Sequence, residues 1–135
     1  MKNISDGKEA STGFETSTGP NYYATSPASY NDGQWHYAVV TYSGNTVRLY
    51  IDGVQVSSLS TSATPDNTGT QPVRIGANSL SLNGFFTGNV DEVRIWNRAL
   101  SSTEIANAYN NGVFSTNGQV LYLPFWTSTA NIDIL

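Results

Sequence analysis

The most regular alternation of apolar and polar positions lies in the middle of the chain. Trp35-His36-Tyr37-Ala38-Val39-Val40-Thr41-Tyr42 is rich in β-branched and aromatic residues and apolar on both alternating sets, the pattern of a strand covered on both sides. Ser43-Gly44-Asn45 supplies a turn. Thr46 to Ile51 then alternates, with Val47, Leu49 and Ile51 on one face and Arg48 and Tyr50 on the other. Asp52-Gly53 is a two-residue hairpin signal, because a type I′ turn needs positive φ at both central positions. Val54-Gln55-Val56 returns antiparallel, which predicts a three-stranded meander.

Around this meander the signals are shorter. Residues 1–34 are punctuated by Gly13, Gly19, Pro20, Pro27 and Gly33, with Phe14 and Tyr22-Tyr23-Ala24 as short strand candidates. Residues 57–71 predict a Ser/Thr-rich loop. Val73 to Gly76 predicts a short strand, and residues 77–84 a second loop. Phe85 to Gly88 and Asn89 to Trp96 predict further strand, bent at Gly88. Ser101 with Glu104 three residues on predicts a capping box, and Leu100 with Ile105 a hydrophobic staple. Ile105, Ala108 and Tyr109 share a face, and Gly112 suits a left-handed cap. A helix of about ten residues follows from these signals. Residues 119–126 predict a final strand, with Pro124 near its end. Many short strands, glycine-bearing turns and one helix predict an all-β fold, an antiparallel β-sandwich.

Composition narrows the classes of function. Charged residues make up 12% of the 135, about half the usual share. Ser, Thr and Asn number 16, 15 and 14 and fill the gap. A net charge of −4 argues against a nucleic-acid partner, which wants clustered Lys and Arg. With no cysteine, neither a disulfide nor a thiolate metal site can form. No apolar run approaches the roughly 18 residues of a membrane span.

Two stretches resemble the signatures of the laminin-G-like, concanavalin A-like jelly-roll superfamily. The first is Asp32 to Tyr42 followed by Val47 to Gly53. The second is Phe86 to Ser101, running through Glu104-Ile105. The resemblance implies a jelly roll of two antiparallel sheets. It implies a non-catalytic carbohydrate-binding or adhesion module of an extracellular or surface protein, often with a structural calcium. The partners it implies are a glycan or a cell-surface protein. The alternative is a structural domain that self-associates or packs within a larger protein.

The chain departs from the family at its ends. The portion before the Trp-His strand is short, whereas Val120-Leu121-Tyr122-Leu123-Pro124-Phe125 resembles the family's opening strand. The whole chain, residues 1–135, is expected to be one domain, incomplete at its N-terminal side. Residues 119–135 then either begin a following repeat or serve as a permuted first strand. In the first case the open edge invites strand exchange and a homodimer.

Several residues are candidates for chemistry. Asp91 shares parity with the apolar Val93 and Ile95. It either accepts backbone hydrogen bonds at a strand end or ligates calcium, which takes six to eight oxygens. Glu92 and Arg94 form a charge pair of small net value. His36 is the single histidine, with no adjacent nucleophile or orienting acid, and is expected to be a structural strand residue. Trp35 and Trp96 are expected in the core. For glycan binding, a ring stacks on a sugar while polar groups take its hydroxyls. Tyr50 beside Arg48 and Asp52 is the leading candidate set, since the opposite face of its strand is core. Tyr22, Tyr23 and Tyr30 are weaker candidates. No alternating acid pair of a jelly-roll glucanase and no Gly-x-Ser-x-Gly elbow occurs, so an enzyme is not expected.

Overall fold

A computed structural model describes residues 10–14, 22–65, 73–77 and 85–125. Its centre is the predicted meander: β3 (Ala38–Ser43), β4 (Thr46–Ile51) and β5 (Val54–Ser60), antiparallel in the order β3-β4-β5. Both connections are two-residue turns with left-handed backbone. Gly44 and Asn45 have φ of 55° and 63°, and Asp52 and Gly53 have 52° and 81°, as type I′ turns require. β5 runs on to Ser60, so the first residues of the expected Ser/Thr loop are strand; Thr46 and Ser60 are paired.

Each face of this sheet is covered. On one side lies the hairpin of β1 (Ser11–Phe14) and β2 (Tyr22–Thr25). Ala10 and Ala24 pack there on Val47, Leu49 and Ile51, with Tyr30, Val56 and Leu59 at the margin. On the other side lies α1 (Ser102–Asn111), where Ile105 is fully buried in a cluster with Val39, Tyr50 and Leu100. Leu100 and Ile105 meet there as the staple predicts, and Ser101 with Glu104 closes the capping box. Gly112 provides the left-handed cap, its N–H donating to the Ala108 carbonyl. The turn at Gly53 meets α1 closely: a Cβ there would lie 3.2 Å from Tyr109 Cβ. That contact is tight, and the φ of 81° at Gly53 independently favours glycine.

The remaining described strands are β6 (Val93–Trp96) and β7 (Gln119–Leu123), paired antiparallel. The C-terminal strand therefore finds a partner within its own chain. Two expectations are corrected. Residues 73–76 are not strand, although Phe86 N–H donates to the Gly76 carbonyl at 2.8 Å. Residues 85–92 are also irregular: Glu92 has φ of 55°, which breaks the alternation just before β6. The architecture is mostly antiparallel strand with one helix, an all-β sandwich-type fold.

Candidate functional site

Of the three residues singled out for sugar contact, Arg48 and Tyr50 line one cleft and Asp52 lies apart from them. Tyr50 is only 5% exposed, packed against Val39, Leu100 and Ile105. Its face is opposite to Val47 and Leu49, but α1 covers it, so both faces of β4 are interior. A ring buried this way cannot stack on a glycan. Arg48, two residues back on the same face, lines an open cleft beside the N-terminus of α1. Asp52 lies beyond the far end of β4 and is committed elsewhere.

Its partner is His36. Nδ1 of His36 donates to Asp52 Oδ2 at 2.8 Å, and Nε2 donates to Asp32 Oδ1 at 3.0 Å. A carboxylate only accepts, so both ring nitrogens carry protons and the ring is an imidazolium. The two carboxylates raise its pKa, with the Asp52 hydrogen bond the larger cause. Asp52 Oδ1 also accepts the Tyr37 N–H at 2.9 Å. Asp32 Oδ1 accepts the Gln34 N–H at 2.9 Å, and that bond, followed by the one from His36, lowers its pKa. The edge of Tyr30 meets the His36 ring at 5.1 Å between centroids. Sequence reasoning missed this cluster, yet a signal existed. A two-residue turn at Gly44-Asn45 pairs Ser43 with Thr46, and counting outward sets Tyr37 opposite Asp52.

This network pins the segment Asn31-Asp32-Gly33-Gln34-Trp35, every residue of which is exposed. Trp35, expected in the core, is 67% exposed. The other motif tryptophan, Trp96, is partly buried against the α1 cluster and donates its indole N–H to the Ser115 carbonyl at 2.8 Å.

Asp91 holds backbone. Its Oδ1 accepts the N–H of Glu92 at 2.7 Å and of Phe125 at 3.1 Å, tying the chain after β7 to the approach to β6. Neighbouring Glu92 is taken by Arg94 at 2.5 Å and by the Tyr122 hydroxyl at 2.7 Å. Among the described residues, no group of three or more His, Asp or Glu side chains is placed to hold a metal ion. Arg94 is more than a surface charge. Its guanidinium lies 3.9 Å from the Phe114 ring centroid and 3.7 Å from that of Tyr122, a cation–π stack between two rings.

Comparison with known proteins gives the class. The laminin G-type family of the concanavalin A-like lectin/glucanases superfamily matches residues 3–106. The chain belongs to that superfamily. A solved structure, an S-layer domain-containing protein from Clostridium thermocellum (residues 221–444), is similar at 30% identity and a TM-score of 0.54. The match covers 67% of this chain and 46% of that one, so the chain spans about half of that structure's length. No curated protein matches the chain. Among the described residues, no helix is long and apolar enough to cross a membrane.

Proposed function

We propose that the domain is a non-catalytic carbohydrate-binding module of a surface protein, and that Trp35 is its sugar-stacking residue. The exposed Trp35 ring on a hydrogen-bonded loop carries this reading. A bare indole offers a flat apolar face to a pyranose, while Asn31, Asp32 and Gln34 offer amide and carboxylate groups to its hydroxyls. The bonds from Asp32 and Asp52 hold the loop before a ligand arrives, which reduces the ordering cost of binding. Superfamily membership and the S-layer relative support a location at the cell surface.

The same geometry argues against catalysis by His36. A general base needs a free ring nitrogen, and both nitrogens donate to carboxylates. A glycan array followed by calorimetry tests the proposal. A bound neutral sugar is expected, lost on Trp35→Ala at unchanged melting temperature. If no neutral sugar on the array binds, or Trp35→Ala binds it as well as the parent, the proposal fails.

A second reading, packing against a copy or a neighbouring part of the parent protein, has its own support. Among the described residues β3 is an outer strand of the three-stranded sheet, and its Val40 is 47% exposed. An apolar outer strand is a template for pairing. Sedimentation across a concentration series is expected to show a dimer that Val40→Lys dissolves. A monomer at every concentration would exclude the self-association form of this reading.

A further inference from the structure

The cleft beside α1 is a separate feature. It holds about 340 Å³ and is walled by Thr41, Ser43, Arg48, Arg98, Ser101 and Ser102, with Tyr50 also contributing to its surface. That volume is at the small end of ligand pockets, about 300–1,000 Å³.

Its charges do not balance. Arg98 donates to both oxygens of Glu104, Nη1 to Oε2 at 3.0 Å and Nη2 to Oε1 at 2.5 Å. That fork, with the Ser101 N–H, holds the Glu104 carboxyl far below the usual carboxylate range. Glu104 is therefore charged and Arg98 is neutralised. The Arg48 guanidinium has no hydrogen bond or ion pair among the described residues, whereas the side chains of Arg94 and Arg98 are paired and Arg74 has a partner. It is half-buried on the cleft wall. The hydroxyl of Tyr50, on a side chain more than nine-tenths buried, likewise has no partner among the described residues. One uncompensated guanidinium and one unused phenol thus meet a single opening, in a chain whose net charge is −4.

We propose that this cleft binds the carboxylate of an acidic sugar, a uronic acid residue. A carboxylate matches the planar fork of a guanidinium and can accept from the phenol as well. The rest of the wall selects a sugar. Thr41, Ser43 and Ser102 carry hydroxyls that can both donate to and accept from a pyranose ring. The positive end of α1 adds to the attraction for the anion. Nothing in this site depends on Trp35, which belongs to a different loop.

Titration of the isotope-labelled protein with glucuronate, followed by amide resonances, tests the assignment. Saturable shifts are expected at Thr41, Ser43, Ser101 and Ser102, with glucose and the glucuronate methyl ester leaving those amides still. Arg48→Gln is expected to weaken binding at least about ten-fold, and Arg48→Lys by less, because a lysine keeps charge but loses the fork. Each variant is checked for an unchanged spectrum away from the cleft. Trp35→Ala is expected to leave glucuronate binding intact, which separates this site from the stacking loop. The proposal is overturned if Arg48→Gln binds as the parent does, if glucose shifts the same amides, or if acetate binds as tightly as glucuronate.

Discussion

His36 and Asp52 form an ion pair across the meander, with Nδ1 2.8 Å from Oδ2, and Asp32 holds the other side of the ring. Folding therefore favours the protonated imidazole, whose pKa is raised above the ordinary 6.5. The stabilisation is complete below that unfolded value and fades as pH rises through the higher folded one. Melting temperature is expected to fall as pH is raised past neutrality. His36→Gln and Asp52→Asn should flatten that alkaline slope. A parent slope that survives both substitutions would disprove the assignment.

Tyr50 should behave as a core residue. Tyr50→Ala removes a ring held between Val39, Leu100 and Ile105, and is expected to cost about 3–5 kcal/mol in denaturant unfolding. Tyr50→Phe keeps the packing and is expected to cost less than about 1 kcal/mol, because the hydroxyl it deletes has no partner among the described residues.

The start of α1 is anchored through two side chains. Ser101 Oγ accepts the Glu104 N–H at 3.2 Å, and Glu104 Oε2 accepts the Ser101 N–H at 2.9 Å. Ser101→Ala is expected to cost about 1 kcal/mol. Glu104 has a depressed pKa, largely from Arg98, so its contribution is complete above the unfolded 4.5 and disappears as pH falls through the lower folded value. Glu104→Gln should lower stability near neutrality and reduce the acid sensitivity of unfolding. Equal acid limbs for parent and variant would contradict this.

Asp91 offers a clean comparison between anchor and metal ligand. Asn keeps an oxygen for the Glu92 and Phe125 N–H groups, and Ala does not. Asp91→Ala is expected to cost about 1–3 kcal/mol and Asp91→Asn distinctly less. A chelator should leave the melting temperature of the parent where it was. A drop on chelation that calcium restores would instead make Asp91 part of a calcium site.

The meander, its two turns and the capped helix were legible in the sequence because each rests on local chemistry. Glycine and Asx residues supply positive φ, and Ser101 and Glu104 are neighbours on one turn. What covers β4 was not legible. Tyr50 alternates away from Val47 and Leu49 whether its face meets water or a helix, and α1 arrives from fifty residues later. Trp35 misled for the related reason that aromatic content does not say which side of a strand's approach is open. Residues 85–92 carry β-branched and aromatic side chains, yet the left-handed backbone at Glu92 stops the alternation, and no glycine marks that position. Of the two carboxylates on His36, Asp52 was hidden by distance along the chain and recoverable only by extending the hairpin register, whereas Asp32 stands close by in sequence on an irregular approach with no register to place it.

The two ends of the β4 ribbon differ in their tolerance of change. At Gly53 a Cβ would press on Tyr109 at 3.2 Å, whereas among the described residues nothing lies within 4 Å of one built at Gly44. Foreign sequence spliced at the Gly44-Asn45 bend would meet no described side chain at Gly44, whereas the same graft at Gly53 would press on the helix at Tyr109. Peptide tags, fluorophores or a fused partner belong at that free bend.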